Sequence, residues 1–140
     1  MIQIVTVNLL AVVVAAIAGM VIGALWYSPL LFGKLWMKLS HMTEKDIAQA
    51  KKRGMAKAYI LQFVATLVTA YVLAHILAYA ETASISDGLQ GAAWVWLGFF
   101  ATTALGSVLW EGKSSKLYLL NIAHSLVILL VMGTILAVWI

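Results

Sequence analysis

At 140 residues, with 64% hydrophobic and 10% charged side chains and a mean hydropathy of +1.02, the chain lies far outside the composition of soluble domains, so lipid must solvate most of its surface. The absence of cysteine excludes a disulfide framework, a thiolate metal site and a thiol nucleophile. The net charge of +4 sits on basic residues that crowd beside apolar runs and form no separate domain, which favours anionic lipid headgroups over nucleic acid as the counter-charge.

Four apolar runs approach or exceed the roughly 20 residues needed to cross a bilayer, and they predict an all-α, integral membrane four-helix bundle in a single domain. The first runs from about Val5 to Tyr27. No basic residue precedes it, which is unlike a secretory signal peptide and predicts that the span is retained. Within it Ala15, Gly19 and Gly23 recur every four residues, a spacing that lets two helix backbones approach closely.

The run Trp26, Tyr27, Ser28, Pro29 predicts the end of this span, because proline cannot continue a helix interior and disfavours helix at the residue before it. Gly33 permits a close turn, and the segment from Leu30 to Leu39 sets Phe32 and Trp36 beside Lys34 and Lys38. Such a mixture suits an element lying in the membrane interface with its lysines reaching water. Thr43 with Asp46 three positions on predicts an N-cap, and a short amphipathic helix follows from about Glu44 to Arg53, with Gly54 as its stop.

The second span runs from about Ala58 to Tyr79 and carries Gln62 and Thr66 on one face. A third, from about Leu89 to Trp110, repeats the small-residue spacing in Gly98, Thr102 and Gly106, and carries a row Thr103, Ser107, Glu111. After a tight turn the fourth span, from about Leu117 to Trp139, places Asn121, His124 and Ser125 together in its first turns. Aromatic residues mark the ends of these spans, as expected at the headgroup layer.

All nine Lys and Arg residues fall in the first and third loops, while the second carries only Glu81 and Asp87. The positive-inside rule therefore predicts that those two loops are cytoplasmic and that both termini are non-cytoplasmic, as in a multi-pass protein of a bacterial inner, or plasma, membrane. Ranked by depth, the polar residues Gln62, Thr66, Ser107, Glu111, Asn121, His124 and Ser125 all fall in the cytoplasmic half. Polar groups are costly in hydrocarbon, so these should face the bundle interior or a water-filled recess, with Glu111 and His124 as a titratable pair. The plainer alternative is that they hydrogen-bond helix to helix at about 1 kcal/mol apiece.

The stretch from Gly23 through Trp26, Tyr27, Ser28 and Pro29 to Gly33 and Trp36 resembles the hallmark of the domain of unknown function family 1761. The run from Leu109 through Glu111 to Asn121 and His124 is similar to that family's second recurrent segment. What the resemblance implies is a small four-span membrane protein with no assigned activity.

These features predict a polytopic membrane protein that binds or transports a small solute or lipid through a cytoplasm-facing polar recess. It is expected to be a homo-oligomer or a subunit of a membrane complex, with anionic headgroups against its cytoplasmic face. An accessory or scaffold subunit without transport activity is the alternative, and it predicts no cavity. Enzyme action ranks third, since no nucleophile accompanies Glu111 and His124, and neither a metal site nor a cofactor is expected.

Overall fold

The computed structural model describes residues 4–139, which form helices and turns with no strand among them. Four helices are long and apolar enough to cross a membrane, so the chain is a multi-span membrane protein. Helix α1 (Leu9–Trp26) starts at Asn8, whose side-chain oxygen accepts from the Leu10 and Ala11 N–H groups at 3.0 and 3.2 Å. It ends ahead of Pro29, where the chain folds back so that Phe32 N–H reaches the Trp26 carbonyl and Gly33 N–H the Ser28 carbonyl, both at 2.9 Å.

Helix α2 (Gly33–Leu39) begins hard against that turn: a β-carbon on Gly33 would lie 2.6 Å from the Tyr27 carbonyl oxygen, so only glycine fits. Helix α3 (Glu44–Arg53) is capped reciprocally. Thr43 Oγ1 accepts from Asp46 N–H at 3.2 Å, while the Asp46 carboxylate accepts from Thr43 N–H at 2.9 Å. Those bonds hold the Asp46 carboxyl below its ordinary pKa of 3.8. The long α4 (Ala56–Tyr79) then crosses the molecule.

The third crossing departs from a plain helix. Helix α5 (Ile85–Trp96) starts four residues before the sequence boundary at Leu89, because Ser84 Oγ caps Asp87 N–H at 3.1 Å. It runs into a π-helical turn, Leu97–Ala101, and two short pieces, α6 (Thr102–Ala104) and α7 (Gly106–Leu109), separated at Leu105. The Ala101 carbonyl, next to this irregularity, accepts from the Tyr118 hydroxyl at 2.6 Å. Helix α8 (Ser115–Val138), capped by Ser114, completes the bundle.

Helix α8 is the hub: it contacts α1 and α5 along their lengths and touches α4 and α2 as well. It runs antiparallel to α1, since Gly23 meets His124 near one end and the Asn8 amide donates to the Trp139 carbonyl at the other. The core is made largely of small side chains, with Ala15, Ala16, Ala70, Ala92 and Met132 fully buried. This is how helices associate in lipid, where close van der Waals contact replaces the hydrophobic drive. The closest approach is between α5 and α8 at Gly88 and Gly133.

Candidate functional site

Near the end that carries the basic loops, α1 and α4 part and leave a recess of about 760 Å³ with α8 as its floor. On α1 the wall is Gly19, Met20 and Gly23. On α4 it is Tyr59, Gln62 and Thr66, three and seven residues apart and so on one face. The floor carries His124 and Ile128, one helical turn apart.

Each polar group in the recess has a defined environment. The buried Thr66 hydroxyl donates to the Gln62 carbonyl at 2.7 Å and accepts from the Gln62 side-chain amide at 3.3 Å. That arrangement fixes the glutamine across the mouth. The His124 ring is framed by Tyr27, with centroids 4.9 Å apart, and by Trp26 at 5.9 Å. Gly23 makes room for it, since a β-carbon there would lie 3.3 Å from His124 Nε2. This Nε2 is buried and has no hydrogen-bond partner among the described residues, and the same holds for Trp26 Nε1. A buried polar atom without a partner is costly, so the two orphans are the least satisfied polar groups named around the recess.

The expected residues divide between several places. Gln62, Thr66 and His124 line the recess. Asn121 stands behind it, its side-chain oxygen accepting from the Tyr27 hydroxyl at 2.8 Å. Ser125 belongs to the joint between α5 and α8, where its hydroxyl and the Ile122 carbonyl both accept from Trp96 Nε1, at 3.2 and 2.7 Å. Ser107 bonds to the Ala104 carbonyl at 2.8 Å and Thr103 to the Phe99 carbonyl at 2.7 Å, each within the third crossing. Glu111 sits in the exposed turn after α7, with Lys113 3.7 Å away, and is not among the residues lining the recess. No residue of the third crossing lines the recess, and within that crossing the π-helical turn and the break at Leu105 interrupt the helix that would have kept Thr103, Ser107 and Glu111 on one face.

The small residues divide in the same way. Ala15 is fully buried, and a β-carbon on Gly19 would meet Thr66, Met132 and Ile128 at 3.1–3.4 Å. Gly98 and Thr102 are exposed, nothing lies within 4 Å of a β-carbon on Gly98, and Gly106 meets only Trp110. In their place Gly88, Ala92, Gly133 and Ala137 make the α5–α8 contact, a pairing visible in the sequence as the same four-residue spacing on both helices. Of the turn motif, Trp26 packs on Phe32 at 4.6 Å, Tyr27 meets the edge of Trp36 at 6.1 Å, and Ser28 Oγ donates to the Leu25 carbonyl at 2.7 Å.

A second recess of about 710 Å³ lies at the opposite end, between Asn8, Glu81, Thr82 and Trp139. One of its polar groups, Asn8, is already engaged as a helix cap. Among the described residues no three His, Asp or Glu side chains are grouped to hold a metal. The recess beside His124 sets a few hydrogen-bonding groups on a largely apolar wall, an arrangement suited to binding.

A family model described as Protein of unknown function (DUF1761) matches residues 10–137. No curated protein and no solved structure matches the chain.

Proposed function

The chain belongs to the DUF1761 family, and from that premise we propose that it binds or moves a small solute or lipid through the recess beside His124, which lies in the half of the bundle nearer the cytoplasm. The observation that carries the reading is the unpartnered His124 Nε2 at the floor of a space bordered by Gln62 and Thr66. A purely structural imidazole would be expected to find a partner in so small a bundle. The cytoplasmic assignment rests on charge: every Lys and Arg lies in the loops at that end, and a bacterial inner membrane is the setting in which this bias is read.

The cysteine-free chain gives a direct test. In the detergent-solubilised full chain, a small hydrophilic thiol reagent should modify Gln62→Cys about tenfold or more faster than Ala70→Cys, which is fully buried in the packed bundle. Equal, slow rates at both positions would remove the recess and leave the packing role alone.

A further inference from the structure

Resting on that reading of the recess, we propose that its occupant is an anionic glycerophospholipid, entering sideways between α1 and α4 with its acyl-ester region at His124. Three observations point to this class.

The mouth opens into lipid, not into a loop-covered vestibule. Its two lips are Val21 on α1 and Tyr59 on α4, both more than half exposed, and their neighbours Leu25 and Ile60 are exposed and apolar as well. These positions lie on helices that cross the membrane, so the molecules present at the mouth are phospholipids. A free solute would have to pass through hydrocarbon to arrive there.

The depth of the polar atoms matches an ester. Helix α1 ends at Trp26 and Tyr27, residues of the kind that mark the headgroup layer, and Gly23 lies three residues deeper, roughly 5 Å along the axis. His124 Nε2 therefore stands just below the headgroups. There an Nε2–H would donate to an ester carbonyl, an acceptor that hydrocarbon lacks. Above it Gln62 and Tyr59 present hydrogen-bonding groups, and below it Gly19, Met20 and Ile128 leave an apolar slot for a chain.

The charge around the mouth selects the headgroup. Nine basic and three acidic residues lie in the two loops at this end, against Glu81 and Asp87 at the other, while no charged side chain lines the recess itself. A phosphate-bearing headgroup would sit outside the recess among these cations while the ester and chain occupy the slot, so headgroup and body are recognised by different parts of one surface.

The test uses the full chain reconstituted in vesicles of phosphatidylcholine alone or mixed equally with phosphatidylglycerol, then released for native mass spectrometry. One phosphatidylglycerol per chain should be retained, and Gly23→Leu, which fills the slot, should reduce that retention about tenfold. Because a leucine there presses on His124, Gln62→Cys provides a second reading: its modification should be slower in the mixed vesicles than in phosphatidylcholine alone. Retention unchanged by Gly23→Leu, or a Gln62→Cys rate indifferent to headgroup, overturns the lipid assignment. If Gln62→Cys is nevertheless fast in detergent, the recess stands and only its occupant is wrong. If it is slow there too, the recess reading fails with it.

Discussion

Gly88 and Gly133 meet backbone to backbone: a β-carbon on Gly88 would lie 2.6 Å from the Gly133 carbonyl oxygen, and one on Gly133 would lie 2.7 Å from that of Gly88. Ala92 and Ala137 extend the contact by one turn on each helix, so α5 and α8 are joined along a seam with no room for a further methyl. The obstruction is backbone, which cannot rotate aside.

Gly88→Ala or Gly133→Ala should therefore force the helices apart and destabilise the protein by about 1–3 kcal/mol. Gly98→Ala, at a position with nothing within 4 Å, should stay within about 0.5 kcal/mol of the parent. Denaturant unfolding in mixed micelles, read by tryptophan fluorescence, separates the two cases. Equal effects would remove the seam from the account of stability.

The Tyr27 hydroxyl and the Asn121 side chain tie the end of α1 to α8 at 2.8 Å. Interhelical hydrogen bonds in membranes contribute about 0.6 kcal/mol on average and up to about 1.7 kcal/mol, so a double-mutant cycle of Tyr27→Phe and Asn121→Leu should return a coupling in that range. A coupling of zero would mean that the two groups are satisfied separately.

Asp46 links helix α3 to pH. Its carboxyl is held below the ordinary value by the Thr43 N–H and hydroxyl, so its folded pKa is depressed relative to the unfolded chain. The contribution to α3 is then present above the unfolded pKa and is lost as pH falls through the folded value, below 3.8. Hydrogen exchange of the α3 amides should speed up through that acidic window, and Asp46→Asn should abolish the dependence. A profile equally steep in Asp46→Asn would assign the effect to another group.

The proposed orientation has its own measurement. Lys52→Cys should be unreactive toward a membrane-impermeant maleimide in intact cells and reactive in inverted vesicles, with Glu81→Cys showing the reverse. Labelling of Lys52→Cys from outside would invert the topology and place the recess on the other face.

The sequence carried the four crossings because bilayer thickness imposes a length on each apolar run, and it carried the stop at Trp26 because Pro29 acts on its immediate neighbours. Gln62 with Thr66 and the position of His124 were legible for a similar reason, as an intact helix keeps residues one turn apart on one face. The same rule failed on the third crossing. There the π-helical turn at Leu97–Ala101 rotates everything after it, and no residue in that stretch announces the change. Glu111 lies beyond the helix, which ends at Leu109, in the stretch where Gly112, at φ 68°, turns the chain. The Gly88–Gly133 seam carried the same small-residue signature as Gly98–Thr102–Gly106, and only the three-dimensional pairing tells the working stripe from the idle one.

Helix α8 is in contact with all three other crossings and is the main neighbour of α1 and α5, and it is also the last of the four to be synthesised. Until it emerges from the ribosome, α1 and α5 lack their principal neighbour, and Gly133, the partner of Gly88, has not yet been made. The earlier crossings must wait in the bilayer as a loose set, and a nascent chain stalled before Ser115 would offer quality-control proteases a membrane intermediate with its alanine faces still open.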